Sequence, residues 1–257
     1  MNTEKYLKRI NYTQKIEINL QTLNSLQEAH LKTIPFENLD IHNNKKIELH
    51  NDSIFDKIVE NKRGGFCYEL NSLFYQLLKE LGFDAKIISA KVYKGTGNIS
   101  RSENYGREYD HLAIIVSFFN KEYLVDVGFG KFSLHPLLIE LDILQKDMIG
   151  NFIFDKFDDE YFRINELIKD EITPQYIFTK KERDLTEFKE MCLFHQTSSD
   201  SHFTKKKVIS MLSTDGRITL NDNQLKITKG SQSKETNFDG SKEQFEKLLY
   251  QYFGTKL

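Results

Sequence analysis

Cys67 ends the run Arg63-Gly64-Gly65-Phe66-Cys67 and opens a segment of helical periodicity, so a Gly-Gly turn feeds it straight into a helix. Backbone N–H groups at a helix start lack intrahelical partners, and the helix dipole is positive there. Both favour thiolate, the nucleophilic form of cysteine, so the expected Cys67 pKa lies well below the free value of about 8.5. Gly64 and Gly65 permit a sharp turn and the close approach of a substrate. Read alone, Cys67 is equally well explained as a small core residue, since free cysteine is among the most buried side chains. Cys192 has no comparable setting.

Two further residues occupy unusual places. His111 begins the apolar stretch DHLAIIV, where both ring nitrogens need a partner that a cysteine and a carboxylate would supply. Asp126 lies within YLVDVGFG, where an unpaired carboxylate would be costly to bury. Taken singly, His111 fits a structural histidine at a sheet edge and Asp126 a salt bridge. Taken with Cys67, they point to a Cys-His-Asp triad. His42, His50, His135, His195 and His202 fall in polar or loop-like surroundings and His30 near a helix end, so none of these receives a role. A two-residue turn at Asn120-Lys121 would set Asp126 opposite Ile115, on the face of His111 but roughly 13 Å from it. Contact then requires another register, a bulge, or strands that are not direct neighbours.

The elements that must position these residues follow from periodicity. Asn19 can cap a helix carrying Leu20, Leu23, Leu26 and His30 that ends near Pro35, and Asp52 can cap a second with Ile54, Phe55, Ile58 and Val59. Leu70, Leu73, Phe74, Leu77, Leu78 and Leu81 form an apolar stripe of helical period, stopped by Gly82. From Ala85 the pattern turns to strands: Ala85–Tyr93, Tyr109–Phe119 and Tyr123–Val127, then Phe152–Phe154, Tyr161–Ile164 and Tyr176–Thr179. The polar connection Lys94–Glu108 is long enough to be an active-site loop. Val208–Ser213, Arg217–Leu220 and Gln224–Thr228 read as a meander whose first turn is marked by Asp215-Gly216, before a terminal helix with Phe245, Leu248, Leu249 and Tyr252. Helices, then strands, then a mixed section make an α+β chain.

Composition narrows the function classes. With 36 basic and 38 acidic residues the chain has no charge excess pointing to nucleic acid. Its longest apolar run, Leu112–Val116, is far short of the roughly 20 residues that span a bilayer, and the opening MNTEKYLKRI has no signal-like apolar stretch. Two cysteines make no disulfide framework, and no Cys/His spacing suits zinc. A cytoplasmic protein without a metal or tightly bound cofactor is expected.

Beyond these readings, the chain resembles the arylamine N-acetyltransferases, in their bacterial form. Ile34-Pro35-Phe36-Glu37-Asn38-Leu39, then Arg63-Gly64-Gly65-Phe66-Cys67-Tyr68-Glu69-Leu70-Asn71, then His111, then Asp126-Val127-Gly128-Phe129-Gly130 occur in the family's order and at about its spacing. The resemblance implies a helical bundle over 1–84, an antiparallel β-barrel over 85–190 and an α/β lid over 191–257, around a papain-like core. It implies Cys67 as nucleophile, His111 as its ion-pair partner and Asp126 as the residue orienting the imidazole. It implies acetyl-coenzyme A as co-substrate and ping-pong transfer to an arylamine, hydrazine or N-hydroxyarylamine. Phe36 and Phe129 match positions that face acceptor rings, and Arg63 and Glu37 match a structural pair. In the segment Cys192–Phe203 no proline is present where the family has one, so the lid around Phe203 and the coenzyme contacts differ from the pattern. The run Lys205-Lys206-Lys207 could meet a coenzyme phosphate, although a solvated surface explains it as well. Related chemistries compatible with the residues are amide synthesis from a carrier-bound thioester, a papain-like protease or transglutaminase, and a non-catalytic binding protein.

Overall fold

The computed structural model describes every residue except Asp170 and Ser231. Helices α1 (Thr3–Arg9), α2 (Leu20–Thr33), α3 (Leu39–His42), α4 (Asn51–Phe55) and α5 (Cys67–Glu80) form the N-terminal part. The Asn19 side chain caps α2 by accepting from Thr22 N at 2.8 Å. Helix α4 begins at Asn51, two residues before the predicted start, because His50 and not Asp52 is its cap; a π-helical turn over Asp56–Glu60 continues it. Gly82 stops α5 with a φ of 94°, which only glycine adopts freely. The predicted α5 stripe is buried from Leu70 to Leu78, with Leu81 half-buried at its end, and packs on Ile114, Val116 and Val125 of the sheet behind it.

His30, in the last turn of α2, sits inside this bundle. Its Nδ1 lies 2.7 Å from the Tyr6 hydroxyl and its ring stands edge-on to Phe74 at 5.3 Å. Burial, assisted by the positive charge of Arg9, pushes its pKa down to about 3. The folded state therefore holds His30 neutral, and the unfolded chain takes up the proton more readily. Stability from this group is complete above the unfolded value of about 6.5 and falls as pH drops toward 3. Denaturant midpoints should show roughly 2 kcal/mol less stability at pH 5 than at pH 7, and His30→Phe should flatten that slope.

Among the described residues the strands form two antiparallel sheets, of eight and five strands. The larger contains β2 (Asp84–Val92), β3 (His111–Phe118), β4 (Lys121–Val125), β5 (Leu137–Leu138), β6 (Gln145–Lys146), β7 (Asn151–Lys156), β8 (Phe162–Ile168) and β9 (Glu171–Phe178), in the order β5-β4-β3-β2-β9-β8-β7-β6. The two edges are joined by a side chain. The Gln145 amide accepts from Leu138 N and donates to Leu138 O, both at 2.8 Å, which nearly closes the sheet into a barrel. Its interior holds Ala113, Ile115, Leu124, Phe132, Phe154 and Tyr176.

The β3–β4 hairpin corrects the predicted register. Phe119 and Asn120, with φ of 51° and 61°, make the turn, and Phe118 pairs with Lys121. Positive φ at both central positions is what a tight hairpin requires, and asparagine tolerates it well. Ile114 pairs with Val125, so Asp126 continues the ladder opposite Ala113 and not Ile115. That shift brings Asp126 within two residues of His111 along the strand.

After β9 come α6 (Lys189–Thr197), β10 (Val208–Ser213), β11 (Gly216–Asn221), β12 (Gln224–Lys229), β13 (Gln232–Asn237) and α7 (Lys242–Phe253). The first hairpin turn is Thr214-Asp215, since Gly216 is already paired with Ser213. Strand β13 is polar and exposed throughout, which is why no apolar alternation marks it. Helix α7 packs on one face of the five-stranded sheet through Phe245, Leu249 and Phe253. The edge of this sheet is β1 (Phe36–Glu37), a strand from the N-terminal third that pairs Phe36 with Ser210. Among the described residues no helix is long and apolar enough to cross a membrane.

Candidate active site

Strand β1 also fixes the cysteine turn. Glu37 N donates to Gly65 O at 2.8 Å, and the buried Glu37 carboxylate accepts from Arg63 Nε at 2.8 Å, Arg63 Nη2 at 3.0 Å and Leu39 N at 2.9 Å. Arg63 reaches on to Asp40 at 2.9 Å. The glycines serve close approach: a Cβ on Gly64 would lie 2.1 Å from Pro35 O, and one on Gly65 2.9 Å from Glu69 Cβ. At the helix start, the Glu69 carboxylate accepts from Phe66 N at 3.2 Å and from Lys57 Nζ at 2.8 Å. Burial works against the Lys57 charge, but Glu69, Glu37 and Asp40 together hold its ammonium above the ordinary lysine value.

His111 is the first residue of β3 and Asp126 follows the last residue of β4. Both are buried, with His111 Nε2 2.6 Å from Asp126 Oδ2. Every other partner of this carboxylate is also a donor: Tyr176 OH to Oδ2 at 3.0 Å, and Asn71 Nδ2 and Gly128 N to Oδ1 at 2.8 and 2.9 Å. Asn71 lies four residues beyond Cys67, on the same helix face. It also donates to Leu112 O at 2.6 Å and accepts from Val127 N at 2.8 Å, tying α5 to both strands that carry the other two residues. Gly128 passes so close to the helix start that a Cβ there would lie 2.7 Å from Cys67 Cα.

Burial, followed by the negative charge of Asp126, pushes the Cys67 thiol well above its ordinary value, against the downward pull of a hydrogen bond from the Leu112 main chain. The helix start alone therefore does not hold a thiolate. A base must take the proton. With Nε2 committed to Asp126, Nδ1 of His111 is the nitrogen left for that task. Burial likewise pushes Cys192 up, to about 12, with no comparable base bonded to it.

Cys67 and His111 line a cleft of about 760 Å³. Phe36, Phe129 and Phe203 line it too, and the loop after β2 contributes Lys94 and Tyr105–Arg107. Phe129 stands edge-on to the His111 ring at 5.1 Å. Where the proline is absent, Asn38 holds the lip: its Nδ2 donates to Phe203 O at 2.9 Å and Lys206 O at 2.8 Å, and its Oδ1 accepts from Val208 N at 2.8 Å.

Two histidines without a role in the sequence reading also reach this cleft. His195 is buried, with Nδ1 3.1 Å from Ser201 Oγ and Nε2 3.2 Å from Asp110 Oδ1, and His202 stacks on Phe203 at 3.9 Å. The helical spacing of Met191, Cys192 and His195, all buried on α6, is the signal that could have found the first. Among the described residues no group of His, Cys, Asp and Glu is placed to hold a metal ion.

Residues 19–257 match the N-acetyltransferase family model. The pineal gland arylamine N-acetyltransferase isozyme NAT-3 of Gallus gallus is 32% identical over 84% of this chain and 79% of its own. Human arylamine N-acetyltransferase 1 is 31% identical over the same shares. Among solved structures, a Bacillus cereus arylamine N-acetyltransferase described as having a unique Cys-His-Glu catalytic triad superimposes with a TM-score of 0.88 at 27% identity, over all of both chains. The Mycobacterium marinum enzyme in complex with CoA gives 0.88 at 26% identity, over 98% of this chain and 92% of that one. A family match across nearly the whole sequence thus agrees with the buried histidine–carboxylate pair beside Cys67, and the chain belongs to the arylamine N-acetyltransferase family.

Proposed function

We propose that the protein transfers an acetyl group from acetyl-coenzyme A to an arylamine, hydrazine or N-hydroxyarylamine, through Cys67. The observation that carries this reading is the 2.6 Å bond between His111 and Asp126 in the cleft that Cys67 lines. Asp126 accepts from Nε2 and fixes the ring, so Nδ1 can take the thiol proton despite the burial that disfavours a lone thiolate. The thiolate adds to the thioester carbonyl, and the carbon–sulfur bond to coenzyme A breaks as that sulfur accepts the proton from His111. An acceptor amine then attacks the acetyl-cysteine. Its proton passes to His111 and returns to Cys67 as the amide leaves.

Phe36, Phe129 and Phe203 offer aromatic faces to an acceptor ring, in keeping with offset or edge-on ring contacts. Segment 1–84 supplies the nucleophile, 85–190 the histidine and aspartate, and 191–257 the lid that carries Phe203. The setting proposed is the cytoplasm, where acetyl-coenzyme A and a reduced thiol coexist.

Intact-protein mass after brief exposure to acetyl-coenzyme A, with no acceptor, tests the donor and the covalent step together. One acetyl group should appear on the wild type and on Cys192→Ser, and none on Cys67→Ala. Unmodified wild type, with acetylation only from a carrier-bound thioester, would favour the amide synthase chemistry instead.

A further inference from the structure

A second cavity, of about 560 Å³, lies between the end of α2, the segment after Phe129 and the β10–β11 hairpin. Ile209 and Met211 of β10, with Ile218 and Leu220 of β11, pack with α7, so the alternate residues Ser210, Leu212 and Arg217 point to the opposite face. Lys32, Lys131 and Arg217 all line this cavity. Lys32 is paired with Glu28 at 2.5 Å and Lys131 with Glu166 at 3.2 Å. Asp215 also lines it, but its carboxylate lies 3.6 Å from Lys229.

Arg217 differs from these. Its Nη1 donates to Ser210 Oγ at 3.1 Å, and among the described residues it has no ion pair. Burial lowers its pKa to about 10, which leaves it charged at neutral pH. A partly buried guanidinium without an anion costs free energy that a bound oxyanion would offset. The planar fork of arginine fits phosphate oxygens in particular. The cavity is also tied to the catalytic cleft, because Lys131 follows Phe129 by two residues and Ser210 pairs with Phe36. By contrast Lys205 and Lys206 are exposed.

We propose that this cavity binds a phosphate-bearing ligand, with Arg217 as its anchor and Lys131 as a further donor. The phosphate belongs either to the donor's own nucleotide end, which rests on the acetyl-transfer reading above, or to a separate phosphorylated molecule.

Thermal unfolding of the whole protein in inorganic pyrophosphate, against sodium chloride of matched ionic strength, reads the site without turnover. The wild type should gain several degrees from pyrophosphate, and Arg217→Met should lose the gain while still unfolding cooperatively. Lys131→Met should reduce it and carries the test if Arg217→Met does not fold. No specific gain in the wild type, or an undiminished gain in the variants, overturns the proposal whether or not the enzyme acetylates amines.

The two sources are separated by comparing acetyl-coenzyme A with acetyl-pantetheine, which lacks the phosphates. An Arg217→Met variant whose KM rises about tenfold for the first donor alone assigns the site to the donor's phosphates, that being the scale of one charge-assisted hydrogen bond. Unchanged KM for both, with the pyrophosphate effect lost, assigns it to a separate ligand. A rise for both donors means that Arg217 shapes the cleft, and also overturns the proposal.

Discussion

Asp126→Asn should lower kcat by about four orders of magnitude while leaving the protein folded. The reason lies in the partners of this carboxylate, all of which donate: His111 Nε2, Tyr176 OH, Asn71 Nδ2 and Gly128 N. An asparagine amide has one donor end, and neither placement suits it. With its nitrogen at the Oδ1 position it would face two N–H donors. With its nitrogen toward His111 it would bond the lone pair of Nε2, and the ring proton would move to Nδ1. That tautomer cannot accept the Cys67 proton. Acetylation of Cys67 should slow together with turnover, and burial of the misfitted amide should cost about 1–3 kcal/mol in denaturant unfolding. Activity near that of the wild type would remove Asp126 from the proposed machinery.

Cys67→Ala should abolish turnover altogether, and the wild-type kinetics should show why. If the acetyl group rests on Cys67 between substrates, coenzyme A leaves before the amine reacts. Initial rates against acetyl-coenzyme A at several amine concentrations should give parallel double-reciprocal lines. Intersecting lines would mean direct transfer in a ternary complex, and residual turnover in Cys67→Ala would mean the same. The two thioesters exchanged in the first step are chemically alike, so that step should run in both directions. The second should depend on acceptor basicity.

Local patterns made much of this site readable. The stripe Leu70–Leu81 and the Gly82 stop place Cys67 at a helix start, and the apolar surroundings of His111 and Asp126 single out the other two residues. What periodicity could not supply was register. It assigns side chains to faces but does not say which residues form the turn, and here Phe119, a large apolar residue at positive φ, occupies a turn position that composition would give to a polar residue. The raised Cys67 thiol was hidden for a different reason. Helix position is local, whereas burial under β3 and the charge of Asp126 arise from tertiary packing. His195 and Asp110 were missed likewise, since they meet across 85 residues of chain. The role of Asn38 in holding the lip of Phe203 is also tertiary, and a motif read as a string does not reveal it.

The Gln145 amide that bridges β5 and β6 bears on how the chain folds and on what its barrel rims offer to a neighbour. Residues 138 and 145 are 7 apart in sequence, so the last seam of the barrel closes across a short loop with little entropy cost. The slow contact is elsewhere, where β2 must find β9 and pair Ala90 with Phe178. Once that pairing exists, the two free rims are each two residues long and already hydrogen-bonded to one another through a side chain. A neighbouring molecule in a crowded cell therefore meets no extended rim on the barrel to add a strand to, and Pro136 beside β5 and the exposed Lys146 in β6 guard the same rims.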